Sequence, residues 1–124
     1  METTIIINEQ HNLMVDQIAA LTAKGINEYK TILVPASGWK KKEMDIVLDT
    51  LKGDIVFVSP IPYMISRVAS DAALNWASSQ SGICHGQNPH ISRCLVMCND
   101  KREKKELPNG KVINVVAKTG WYLA

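Results

Sequence analysis

No apolar run in this chain approaches the ~18 residues that a membrane-spanning helix requires. The N-terminal Met-Glu-Thr-Thr-Ile-Ile-Ile-Asn carries neither a basic leader nor a small-residue cleavage site, so neither export nor a membrane is expected. An excess of one charge is missing too: 14 basic against 12 acidic residues leave a net +2, without the basic footprint that duplex DNA binding demands. Cysteine is scarce and odd in number, with Cys84, Cys94 and Cys98 alone. That fits free thiols in a reducing compartment better than a disulfide framework, and makes the cytoplasm the expected location. Cys84, His85, His90 and Cys94 offer sulfur and nitrogen, but their spacing matches no Cys-x-x-Cys zinc arrangement, so no metal is expected. The first apolar run is not followed by Gly-x-Gly-x-x-Gly, which argues against a dinucleotide, and no cofactor is expected. With no long polar tract or linker, residues 1–124 read as a single domain.

What is present is an alternation of β-branched runs with helical periodicity. Thr3 to Asn8 reads as a buried strand. Asn12 is placed to cap a helix carrying Met14, Ile18 and Leu21 on one face and ending at Gly25. Lys30 to Pro35 is a second strand, followed by a helix whose face is Met44, Val47, Leu48 and Leu51, stopped by Gly53. Asp54 to Ser59 is the third strand. Pro60 and Pro62 then open a helix that carries Met64, Ile65, Val68, Ala69, Ala72 and Ala73 toward the core and runs to about Trp76. Ser78 to Pro89 is rich in turn formers and reads as a mobile surface loop. Ile91 to Cys98 and Lys111 to Ala117 are two more strands, read as a hairpin across Asn99 to Glu106, a solvated charged arm, and the Pro108-Asn109-Gly110 turn. Three strand-helix units with continuously apolar strands predict an α/β domain, a Rossmann-like open, mostly parallel sheet with flanking helices and a C-terminal antiparallel hairpin.

In open parallel sheets ligands bind outside the carboxyl ends of the strands. That rule selects Asn8 to His11, Ser37 with Gly38, Trp39 and Lys40, then Ser59 with Pro60, and Asn99 with Lys101 and Arg102. Lys40, Lys41 and Lys42 stand in a helix first turn, where positive charge opposes the macrodipole. An anion would relieve that conflict, but taken alone the lysines are more simply read as a solvated cluster at a helix start. Ser59 can cap the free amides of the next helix or join them in cradling a phosphate. Arg102 can fork onto phosphate oxygens. His11 has the side chain best suited to proton transfer at neutral pH, and Trp39 can stack on a base or simply pack.

The stretch Asn8-x-x-His11-x-Leu13 with the following helix containing Gln17, the entry Ser59-Pro60-Ile61-Pro62, and the charged hairpin from Asn99 through Lys111 together resemble the small ring-nuclease-like, CARF-related accessory proteins of type III CRISPR systems. The resemblance implies binding of a cyclic oligoadenylate, cyclic tetra-adenylate foremost, across a two-fold homodimer, with metal-independent cleavage of its phosphodiesters. On that reading His11, Ser59 and Arg102 are catalytic. Asn8, Ser37, Gly38, Trp39, Lys40, Pro60, Asn99 and Lys101 bind the ligand. The Trp39 to Lys42 stretch and the Ser78 to Pro89 loop have no counterpart in the family pattern. A sensor or sponge that holds the messenger without cutting it needs the same residues except the proton donor. A nucleotide-binding or protein-interaction module on the same fold remains the other class.

Overall fold

The computed structural model describes residues 2–82 and 85–124. Strand and helix alternate as β1 (Thr3–Asn8), α1 (Val15–Ala23), β2 (Lys30–Val34), α2 (Lys41–Thr50), β3 (Gly53–Phe57), α3 (Pro62–Ser81) and β4 (Ile91–Asn99). Three further strands follow, β5 (Arg102–Glu106), β6 (Val112–Val116) and β7 (Trp121–Leu123). The main sheet has the order β2-β1-β3-β4-β7, parallel except for β7, while β5 and β6 form a separate antiparallel ribbon. The architecture is the α/β, Rossmann-like open sheet expected of the sequence. No helix among the described residues is long and apolar enough to cross a membrane.

The isoleucine run of β1 is apolar throughout because the strand is central and covered on both sides. Ile6 faces α2 and α3 in a cluster with Leu48, Phe57, Met64 and Val68. Ile5 faces α1 in a second cluster with Leu21, Val56, Leu95 and Leu123. Right-handed crossovers require this division: the chain leaves β1 toward β2 through α1, then returns across β1 to β3 through α2.

α1 departs from the expected face. Gln17 and Leu21 are its buried residues, while Met14 and Ile18 stay 42% and 45% exposed. Asn12 does not cap it. Met14 is the N-cap, and its N–H donates to Gln17 Oε1 at 2.9 Å, so the glutamine closes the helix start from inside the core. Gln17 and Leu21, four residues apart, then make the inward ridge.

α3 begins with Pro62 at its first turn and runs past Trp76 to Ser81, ending on Gly82 in the left-handed conformation. Ser79 and Ser81 donate to Trp76 O (2.6 Å) and Ala77 O (3.0 Å), so serines read as loop formers instead serve the last helical turn. The segment His85 to Pro89, part of the Ser78 to Pro89 stretch expected to be mobile, is pinned. Buried Asp71 accepts the N–H groups of Gln87 (3.0 Å) and Asn88 (3.4 Å), and Asn75 reaches Gly86 N, Asn88 O and Ile91 O at 2.8 Å each. Asn88 Nδ2 donates to Leu48 O and Leu51 O at 2.9 Å, tying the loop to the end of α2. A Cβ on Gly86 would lie 2.6 Å from Asp71 Cα, so only glycine permits this approach. Ile83 and Cys84 of the expected loop lie outside the described residues.

The hairpin is also rearranged. Ile91–Asn99 does not pair with Val112–Val116; it pairs with the short strand Trp121–Leu123, and Arg102–Glu106 is the true partner of Val112–Val116. Asn99 makes the division. Its Nδ2 donates to Ala117 O (2.9 Å) and Thr119 O (3.0 Å), and its Oδ1 accepts Lys101 N–H (2.7 Å), clamping the foot of the ribbon.

Candidate functional site

Because β1 is followed to one side by β2 and β3 lies on its other side, the loops leaving β1 and β3 diverge and open a crevice at their carboxyl ends. A cavity of about 340 Å³ occupies that place, at the small end of the ~300–1,000 Å³ range of small-molecule sites. Its polar wall comprises Asn8, His11, Asn12, Gln17 and Ser59; its apolar wall includes Ile7, Met14, Val58, Val116 and Trp121.

Local hydrogen bonding shapes the polar wall. Asn8 Oδ1 accepts Gln10 N–H at 2.9 Å and Asn8 O accepts His11 N–H at 2.9 Å, an Asx-turn inside a tight turn that returns His11 to the cavity. Ser59 Oγ accepts the Asn8 N–H at 2.9 Å. The serine therefore ties the tip of β3 to the tip of β1. It does not cap α3, whose N-cap is Ile61 with no side-chain bond. Pro60 lines the same cavity, before the helix starts.

Two residues that the sequence reading gave no binding role complete the wall. Gln17, buried at 4% exposure, spends its carbonyl on Met14 and stands at the cavity. Trp121 packs against the α1-side core and lines the cavity, with its indole Nε1 buried and without a hydrogen-bond partner among the described residues. Such a donor costs about 1–3 kcal/mol unless something accepts from it. A glutamine on an otherwise apolar helix ridge was the one available signal. Trp121 gave none, because its strand is only three residues long.

The remaining predicted residues lie elsewhere. Trp39 is half-buried and packs against the α2/α3-side cluster; Ser37 and Gly38 are exposed in the preceding turn, and Lys40 is the N-cap of α2. Lys41 resolves its conflict with the helix dipole inside the chain, donating to Asp45 Oδ2 at 2.9 Å. Tyr63 OH donates to Asp45 Oδ1 at 2.6 Å, and this bond, followed by that from Lys41, holds the Asp45 carboxyl below the ordinary carboxylate range. Asn99, Lys101 and Arg102 stand at the foot of the ribbon, and Arg102 donates to the backbone oxygens of Lys101 (2.9 Å) and Asn99 (3.3 Å). None of these lines the cavity, which has no lysine, arginine or carboxylate among its lining residues.

Asn8, His11, Ser59 and Pro60 are thus brought together, and Arg102 is not with them. Cys94 is half-buried against the α2/α3-side core, where burial pushes its thiol up to about 11, so it stays protonated at neutral pH. The site can offer amide, hydroxyl, imidazole and indole hydrogen bonds to a neutral, flat, partly apolar group. Compared with family models, curated proteins and solved structures, the chain matches none.

Proposed function

We propose that this chain binds a cyclic oligoadenylate, cyclic tetra-adenylate foremost, with one adenosine unit entering the cavity between β1 and β3. The observation that carries this reading is the chemistry of the lining: among the described residues, Asn8, Asn12, Gln17, Ser59 and the unpaired Trp121 N–H stand around an apolar floor, with no permanently ionised group. A purine presents donors, acceptors and an apolar face, and side-chain amides pair with its edges. The phosphates of a ring would then remain at the rim. A cavity of about 340 Å³ takes one nucleoside-sized unit and not a whole ring, so a symmetric ring calls for two copies of the chain around a two-fold axis.

The presence of His11 and Ser59 in one cavity lining favours a second step on the same ligand. A ribose 2′-hydroxyl loses its proton to the imidazole and attacks the adjacent phosphorus. The bond to the 5′-oxygen breaks and a 2′,3′-cyclic phosphate is left, with the proton returned to the departing oxygen. No metal is required. Because Arg102 stands outside the cavity, the charge developing on the phosphate has no cation in the described lining, and holding the ring without cutting it is the stronger form of the proposal.

A thermal melt with cyclic tetra-adenylate tests binding. Saturation a hundredfold above Kd stabilises by about 2.7 kcal/mol, a shift of roughly 10 °C. No shift with rings of any size, together with a shift for a mononucleotide, overturns the ring reading. Prolonged incubation at stoichiometric protein tests cleavage: linear products ending in a cyclic phosphate support it, lost in His11→Ala with binding retained. Intact ring removes the enzymatic step and leaves the binding protein.

A further inference from the structure

Among the described residues β6 pairs with β5 alone, and its other edge is open. In that ladder Ala117 N–H donates to Lys101 O at 3.3 Å and Leu107 N–H to Lys111 O at 2.7 Å. Hydrogen-bonding direction alternates along an antiparallel strand. Ile113 and Val115 therefore turn their backbone groups toward β5, and Val112, Asn114 and Val116 direct theirs outward. The same stretch leaves Val112, Ile113 and Val116 40–59% exposed. A flat edge of β-branched residues with free N–H and C=O groups is a template for another strand unless charge or proline blunts it.

We infer that two copies of this chain pair through β6, antiparallel about a two-fold axis at Asn114, to form a four-stranded sheet in the order β5-β6-β6-β5. The sequence Val112-Ile113-Asn114-Val115-Val116 is nearly palindromic, which is what names a second copy as the occupant. Around that axis Val112 meets Val116 of the partner subunit, Ile113 meets Val115 of the partner subunit, and Asn114 meets its own counterpart. The outward groups at 112, 114 and 116 fall on hydrogen-bonded pairs in this register. Sliding by two residues sets each Asn114 against a valine and shortens the overlap. Lys111 falls opposite Ala117 of the partner subunit, so like charges do not face each other directly.

Association stops at two. The outer strands of the joined sheet are the β5 strands, whose Arg102, Glu103, Lys104, Lys105 and Glu106 are all exposed charges, the arrangement that discourages further edge pairing. A five-residue edge alone falls short of the ~800 Å² per partner of a standard interface. Exposed apolar surface continues from it onto α1, since Met14 shares the cavity wall with Val116 and Val15 borders Lys118 and Thr119. A reversible dimer follows. Because Val116 belongs to both the edge and the cavity wall, pairing would also supply the two-copy particle that the ring reading rests on, but it is argued from the strand edge and tested without ligand.

Sedimentation velocity on the full chain across a concentration range is the first test, with a mass approaching twice 13.7 kDa expected at the upper end. Asn114→Pro removes an outward N–H and leaves the β5 ladder intact, so it should stay monomeric with its circular dichroism unchanged. Cysteine substitution decides the register and stands even if the proline variant fails to fold. At a hydrogen-bonded pair the Cα atoms are ~5.5 Å apart, within disulfide reach, so Asn114→Cys should cross-link on oxidation well above the unsubstituted chain. Ile113→Cys, which faces a valine, should not. A monomer at every concentration overturns the inference, as does a dimer unaffected by Asn114→Pro or equal cross-linking at 113 and 114. None of these outcomes bears on whether the cavity takes adenosine.

Discussion

Replacing Trp121 with phenylalanine separates what the indole does for the fold from what it does for a ligand. Its Nε1 is buried with no acceptor among the described residues, a state that costs about 1–3 kcal/mol; phenylalanine removes the donor and returns that amount to the folded state. The smaller ring loses packing against the cluster of Leu21, Met97 and Leu123, at a cost of about 1–2 kcal/mol for a change of this size. The opposed contributions leave stability within about 1 kcal/mol of the parent, a shift of roughly 5 °C or less. Binding moves in one direction only. An adenine nitrogen accepting from the indole gains a hydrogen bond worth about 1.4 kcal/mol or more, so its removal weakens cyclic tetra-adenylate at least about tenfold. Urea titration and calorimetry on one preparation read both quantities. A stability loss above about 3 kcal/mol would mean that the N–H is satisfied in the free protein, and an unchanged Kd would mean that no ligand uses it; either result refutes the reasoning.

Ser59→Ala strips the acceptor from the Asn8 N–H and should cost about 1 kcal/mol by thermal melting, with a larger proportional loss of ring affinity because the β1 tip is freed. Gly86→Ala drives a Cβ to within 2.6 Å of the Asp71 backbone, which cannot yield as a side chain would; destabilisation of about 3 kcal/mol or more is expected in urea titration. The Cys94 thiol gives a pH dependence of definite sign. Its pKa rises from 9.0 to about 11 on folding through burial, so between those values the unfolded chain releases a proton that the folded chain keeps. Stability is therefore full below pH 9 and declines toward pH 11, read as a falling Tm that a Cys94→Ala variant lacks.

The parallel core was legible because its strands are apolar without alternation, a pattern that only burial on both faces explains, as Ile5, Ile6 and Ile7 illustrate. The C-terminal third was legible only in part. Val112–Val116 reads as a strand from its composition, but composition does not say which strand it meets, and one asparagine at position 99 redirects the chain through three backbone contacts. The Ser78 to Pro89 stretch misled for a related reason. Gly86, Asn88 and Pro89 look like mobile turn formers, yet Asn88 is 7% exposed and its amide bonds the end of α2 across about forty residues of sequence. Turn composition reports local conformation and is silent on tertiary anchors.

The site shows the same boundary between local and long-range information. Asn8, His11 and Ser59 were reachable from sequence because a topological rule points to the tips of β1 and β3, and those tips are short. The cations were not, because a lysine or arginine near a strand end can turn several ways: Lys41 turns to Asp45 on its own helix, and Arg102 turns back to the carbonyls of Asn99 and Lys101. Their withdrawal changes what the cavity recognises. A pocket meant for phosphate has to repay the desolvation of a full charge, which without a nearby cation is prohibitive. A nucleobase carries no charge and needs only the hydrogen bonds that Asn12, Gln17 and Trp121 stand ready to make. On the proposed reading the cavity therefore takes the base first, and the negative charge of a ring would be left facing water at its mouth.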